Sequence, residues 1–166
     1  AYLMGSYFSI TVVDKDSISA KKNIQLAVDE IDRIENLISE WRENTPISQV
    51  NNHSGFKPIA VPKEVFDLTD RAIYYSKISH GAFDISIASL DRIWRFDGTM
   101  ETKPTPEMVR NSVKLVGYQN IELDPVNQTI FLKKKGMKIG FGSIGKGYAA
   151  DQAKKILSDN GVISGL

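Results

Sequence analysis

An apolar repeat near the N-terminus constrains the fold most. Ile24, Ala27, Val28, Ile31, Ile34 and Ile38 recur at three- and four-residue intervals, which stacks them on one side of a helix. With Ser19 as N-cap this spacing predicts a long amphipathic helix. Ahead of it "SYFSITVVD" alternates, with Phe8, Ile10 and Val12 on one face, and reads as a strand. A second helix is predicted over Lys63 to Ser79, with Val65, Leu68, Ala72, Ile73 and Tyr75 inward and Gly81 ending it. Thr105-Pro106-Glu107 opens a third, with Thr as N-cap and Pro at the first helical position, and Gly117 closes it. A last helix runs from Lys146 to Ser158 and ends at Gly161.

Between these lie strand and turn signals. "FKPIAVP" is a short extended piece, and "NIELDPVNQTIFLKK" is a hairpin folded about the Asp124–Asn127 turn cluster. "MKIGF" reads as a short strand, "GAFDISIASL" as strand-like or irregular, and "SEWRENTPISQVNN" as a loop with one short helical turn. Helices and strands mix without a regular βαβ repeat, which predicts α+β rather than doubly wound α/β. The 166 residues fit one domain and carry no internal repeat or low-complexity linker.

A formal net charge of +1 gives no electrostatic case for nucleic acid or an anionic membrane. The tightest cationic run, Lys133-Lys134-Lys135, follows a strand and reads as a solvated edge. Absence of cysteine excludes disulfides, thiolate metal sites and a thiol nucleophile. No transmembrane run or signal peptide is present in the sequence. A start at Ala1 and a stop at "GVISGL", where a strand is about to begin, are read as marks of a trimmed chain.

The most chemically suggestive stretch is "KIGFGSIGKGYAAD", Lys138 to Asp151, with four glycines and a lysine entering a helix. Gly140 to Gly147 is nearly a P-loop. It fails at its last position, where Gly147 stands in place of the hydroxyl residue that ligates magnesium, and in its context near the end of the chain. Two readings stay open. The glycines let strand and helix pack closely, with Lys146 solvated, or an anion sits there and removes the conflict between Lys146 and the helix dipole. Asp84, in the apolar run "GAFDISI", needs hydrogen-bond partners and is a candidate site residue. His53 and His80, the only histidines, read as surface residues; Trp41 and Trp94 as core or rim; Asp91 and Arg92 as a surface pair.

Taken in order, "LMGSYFSITV", "ISEWRENTPISQVN", "GAFDISIASLDRIWRF", "VGYQNIELD" and "IGFGSIGKGYAAD" resemble the motifs of the ApbE family of FAD:protein FMN transferases, from about Leu3 to Gly165. The resemblance implies an ApbE-like mixture of sheet and helices, with residues 1–166 forming the N-terminal portion of a flavin transferase domain that is incomplete at its C-terminus. It implies a magnesium-dependent reaction in which FAD is cleaved at its pyrophosphate, FMN passes to a threonine of a target protein and AMP leaves. The implied targets are flavoprotein subunits of membrane redox complexes. The implied location is periplasmic, with a lipid tether outside this chain.

Carried over by motif, Met4, Trp41, Ala82, Phe83, Asp84, Gly140 and Lys146 fall where the family contacts FAD, and Ser143 where a main-chain oxygen helps hold Mg2+. The family often has an acidic residue where this chain has Gly140. Its later Gly-Gly-Asp and Ala-Asp-x-x-Ser-Thr segments, with a preceding histidine, do not occur in these 166 residues, so the resemblance predicts half a site. The rival readings are an FAD-binding module without transferase activity, a P-loop nucleotide binder and a scaffold with a structural glycine loop.

Overall fold

A computed structural model describes residues 1–90, 93 and 102–166. Trp94 and the Asp91–Arg92 pair lie outside the described residues. The chain divides into two compact units, one made of residues 1–39 and 141–166 and the other of 40–140.

The first unit is built on helix α1, Ser17–Ile38. Its buried positions are Asn23, Ala27, Ile31, Ile34 and Ile38, so the apolar repeat does form the inner stripe. The cap differs from the expected Ser19. Asp16 accepts from the amides of Ile18 and Ser19, at 2.9 and 2.8 Å, so the cap moves from Ser19 back to Asp16 and the helix starts at Ser17. Helix α5, Gly145–Asp159, packs along α1, burying Ala149 and Ala153.

The predicted N-terminal strand is broken into three short ones. Strands β1 (Tyr2–Leu3) and β2 (Ser6–Tyr7) pair antiparallel around the two-residue turn Met4–Gly5. Both turn residues have positive φ, +51° and +67°, as a type I′ hairpin turn demands. Strand β3 (Val12–Val13) pairs antiparallel with β7 (Ser164–Gly165). The alternation itself is kept, with Phe8, Ile10 and Val12 half-buried between exposed neighbours.

The second unit holds α2 (Pro46–Asn52), β4 (Ile59–Ala60), α3 (Lys63–Ile78), α4 (Pro106–Ser112), β5 (Ile121–Asp124) and β6 (Thr129–Leu132). Its antiparallel sheet has the order β4-β6-β5, with Leu123 opposite Ile130 and Glu122 opposite Phe131. Helix α2 is longer than the one short helical turn expected in this stretch. Thr45 caps it with its hydroxyl on the Ser48 amide at 3.0 Å, and Pro46 takes the first turn, the same signal that opens α4 at Thr105-Pro106. Helix α3 buries Val65, Leu68, Ala72 and Ile73 as expected, but Tyr75 is exposed and meets Tyr74 and Phe83 edge-on. Helix α4 ends at Ser112, well before Gly117, whose φ of +146° instead opens a short 3-10 turn at Tyr118–Asn120. "GAFDISIASL" is a 3-10 turn over Ile85–Ser89 with Asp84 at its N-cap.

Strand β6 is central, so edge protection does not explain the lysines after it. Lys133 pairs with Glu122, Lys134 donates to the Lys114 carbonyl, and Lys135 lies over the Phe56 ring. Each is tied to its own surface and no joint patch is formed.

Residues 137–141, expected as a strand, join no sheet among the described residues. The run is nonetheless deeply buried at Met137, Ile139, Gly140 and Phe141.

Two outcomes follow for stability. Replacing the fully buried Ile31 by Ala should lower unfolding free energy by about 2–5 kcal/mol in chemical denaturation. Backbone donation from Ser19 holds the Asp16 carboxyl below its usual range, and the Asn127 side chain does the same for Asp124. A depressed folded pKa gives stability that is present above the unfolded pKa and is lost as pH falls through the folded one. Asp16→Asn, which keeps a cap without the charge, should therefore flatten the acid limb of Tm against pH.

Candidate functional site

In the first unit the glycine loop enters α5 as follows. Phe141 is buried, and its carbonyl accepts from the amides of Ile144 at 3.1 Å and Gly145 at 2.6 Å. Helix α5 has no side-chain cap. Among the described residues, the amides of Gly142, Ser143, Lys146 and Gly147 have no acceptor, and no donor reaches the Ser143 carbonyl. Ser143, Lys146, Gly142 and Gly147 are all exposed. Exposed amides at an uncapped helix start, with a lysine in the first turn, make an anion-attracting surface.

Gly145 has a packing reason as well. A Cβ on it would lie 2.8 Å from Ile38 Cδ1 and 3.3 Å from Met4 Cε. Met4 is held there by its turn, and its amide donates to Glu35 Oε2 of α1 at 3.0 Å. The unit therefore brings Met4, Ser143 and Lys146 to the same end of α5. The packing reading holds at Gly145, whereas Gly142 and Gly147 would meet nothing within 4 Å if given a Cβ, so packing does not call for glycine there.

In the second unit Trp41 is 71% exposed and lines a cavity of about 440 Å³ with Glu40, Asn51, Ala88, Ser89 and Lys138. Gly140 lies beside Glu40. A Cβ there would overlap Glu40 Oε2, stand 2.6 Å from its Cδ and 3.1 Å from Ala88 Cβ. A side chain at position 140 would thus require the Glu40 carboxylate to move out of the volume it occupies and Ala88 to give slightly.

Ala82, Phe83 and Asp84 lie on the turn after α3. The Ala82 amide donates to the Ser79 carbonyl at 3.1 Å and the Phe83 amide to Ser79 Oγ at 3.0 Å. Asp84 Oδ1 accepts from the Ser86 amide and hydroxyl, at 2.8 and 2.7 Å, and Oδ2 from the Tyr118 amide at 2.8 Å. Ser86 Oγ in turn accepts from the Gly117 amide at 2.7 Å. The partners expected for a half-buried Asp84 come from the protein itself, and they tie the 85–89 turn to residues 117–118. The next carbonyl, Ile85, accepts from the Gly140 amide at 3.0 Å, which links this motif to the glycine run.

Asn51 and Ser89 were not singled out in the sequence. The Asn51 amide donates to the Ile139 carbonyl at 3.0 Å, and its oxygen accepts from the Ile139 amide at 2.8 Å. Ser89 Oγ donates to the Lys138 carbonyl at 2.8 Å and accepts from the Lys138 amide at 2.7 Å. The available signal was the burial of a run that has no strand to pair with. His53 caps α2, its Nδ1 2.8 Å from the Gln49 carbonyl, and His80 is exposed. Among the described residues no group of three or more His, Asp or Glu is placed to hold a metal ion, and no helix is long and apolar enough to cross a membrane. Among the described residues every strand pairing is antiparallel and residues 137–141 join no sheet, so the glycine loop does not follow a parallel strand as a P-loop does.

Residues 4–166 match the model of the ApbE family, and the chain belongs to that family. An FAD:protein FMN transferase of Klebsiella pneumoniae (strain 342) is 30% identical over 166 residues, which span 100% of this chain and 51% of the relative. One from Buchnera aphidicola subsp. Schizaphis graminum (strain Sg) is 27% identical over 164 residues, 96% of this chain and 47% of its own. Among solved structures, the ApbE protein of Thermotoga maritima has a TM-score of 0.81 at 27% identity, covering 97% of this chain and 52% of that one. The flavin transferase ApbE of Vibrio cholerae shares the fold, with a TM-score of 0.81 at 20% identity over 98% of this chain and 53% of that one. The chain spans about half the length of the relatives it matches. Its architecture is α+β, as the sequence predicts.

Gly140→Ala should cost about 1–3 kcal/mol by overpacking. In a double-mutant cycle the Glu40→Ala/Gly140→Ala protein should lose less stability than the two single changes together, because one change vacates the space the other needs. Additive denaturation energies would show that Glu40 is not what closes the position.

Proposed function

We propose that the protein transfers FMN from FAD to a threonine hydroxyl of a target flavoprotein, as the N-terminal portion of a flavin transferase domain. Family membership sets the class, since relatives along the whole of this chain are FAD:protein FMN transferases. The observation that carries the assignment to particular residues is the exposed, uncapped start of α5, with open amides at Gly142, Ser143, Lys146 and Gly147.

In this reading Lys146 neutralises charge on the pyrophosphate, and the glycine backbone allows close approach of its oxygens. The hydroxyl oxygen of the target threonine bonds to the phosphorus of the FMN half. The bond from that phosphorus to the bridging oxygen breaks, and AMP leaves with the electron pair. The hydroxyl proton passes to solvent. Met4 packs on an apolar face of the nucleotide. Trp41 offers an aromatic surface at the rim of the second unit's cavity, whose volume of about 440 Å³ lies in the usual range for small-molecule sites. Ala82, Phe83 and Asp84 contribute through the turn they build.

The Ser143 carbonyl, a hard oxygen that no amide among the described residues reaches, would be the group of this chain that helps hold Mg2+. When bound, the ion supplies charge neutralisation at the pyrophosphate. A periplasmic, lipid-tethered location and targets in membrane redox complexes belong to the same reading.

Titration with FAD, followed by flavin fluorescence and by AMP release in the presence of Mg2+ and a threonine-bearing target, tests this. Lys146→Ala should weaken FAD binding about tenfold or more, the scale of a charge-assisted contact. Unchanged affinity would remove Lys146 from the site. FAD binding without AMP release would leave a binding module. Preference for ATP over FAD would overturn the flavin reading.

A further inference from the structure

We infer that Asn51 and Ser89 are positioning residues for the nucleotide site, acting as a two-point latch on the backbone of Lys138 and Ile139; the inference rests on the flavin reading above. Backbone groups of a buried extended run ordinarily pair with a neighbouring strand. Here one side-chain amide and one hydroxyl each take both polar groups of a single residue, the donor–acceptor pattern a strand partner would supply. Asn51 sits on α2 and Ser89 in the 3-10 turn after Asp84, so the run is held from two separate elements. The Ile85 carbonyl adds a third hold at the Gly140 amide.

Three facts link the latch to ligand binding rather than to stability alone. Asn51, Ser89 and Lys138 all line the cavity that carries Trp41 at its rim. The latched residues lead directly into Gly140, where the Glu40 carboxylate occupies the space beside the backbone. Lys138 itself is exposed, so fixing its backbone fixes where its ammonium group starts from. A side-chain latch is also more easily perturbed than a ladder. Removing Asn51 frees two buried backbone groups of one residue without touching any sheet.

The test uses the protein that carries this chain, with FAD as the probe at a temperature where every variant is folded. Asn51→Ala and Ser89→Ala should each raise the FAD Kd about tenfold and speed amide exchange at Lys138 and Ile139. Ser89→Thr, which keeps the hydroxyl, should bind FAD within about threefold of the parent. Ser76→Ala is the matched control. It removes another buried hydroxyl of the same unit, bonded to the Ala72 carbonyl at 3.0 Å, and should lower Tm while leaving FAD binding unchanged. If Asn51→Ala and Ser89→Ala bind FAD as the parent does, although the two amides exchange faster, the latch is structural only and the inference falls. A parent protein that binds no FAD overturns the flavin reading itself, and the inference with it.

Discussion

Much of the second unit depends on how residues 137–140 satisfy their backbone. Met137 and Ile139 are fully buried, and an unpaired buried amide or carbonyl costs about 1–3 kcal/mol. Among the described residues no strand stands beside them to absorb that cost. Asn51, Ser89 and the Ile85 carbonyl do so, and this fixes the surroundings in turn. Helix α2 must stop close to Asn51, and the chain after Asp84 must coil tightly enough to present Ser89. Thr45 and Pro46 at one end of α2 and Asp84 at the start of the 3-10 turn are the local devices that meet those demands.

The first unit rests on a different economy of space. Helices α1 and α5 approach closely because α5 begins with Gly145 and continues with Ala149 and Ala153 on its buried face. Small residues on one helix admit the isoleucines of the other, which interdigitate at the density of a protein interior. The same choice leaves the start of α5 without a side-chain cap, so its open amides and Lys146 face solvent. Close packing at Gly145 and the exposed amides beside it thus come from one short sequence, "GSIGKG".

How much of this could be read from the sequence depended on whether the cause was local. The α1 stripe, the Thr105-Pro106 start of α4 and the β5–β6 hairpin are written within a few residues and emerged as expected. Helix α2 carries the same Thr-Pro signal but only Ile47 and Val50 as apolar support, and its polar remainder masks it. Residues 137–141 are buried apart from Lys138, as their pattern suggests. Whether they join a sheet is decided by partners at positions 51 and 89, which no local pattern reveals. The site residues were legible only through ordered motifs. Asp84 was correctly marked as needing partners, but its dependence on Tyr118 and Ser86 is a matter of tertiary structure. The closure of position 140 by Glu40 could not be inferred from spacing at all.

The turn at Met4 has a consequence for any attempt to improve this protein. A type I′ turn prefers Asn, Asp or Gly at its first position, and a methionine at φ +51° is a poor conformational choice there. A screen for thermal robustness would favour replacing it. Yet its methyl group is what rests beside the first turn of α5, against the space kept open at Gly145. Replacing it would therefore trade a better turn conformation against the contact that its methyl group makes at the start of α5.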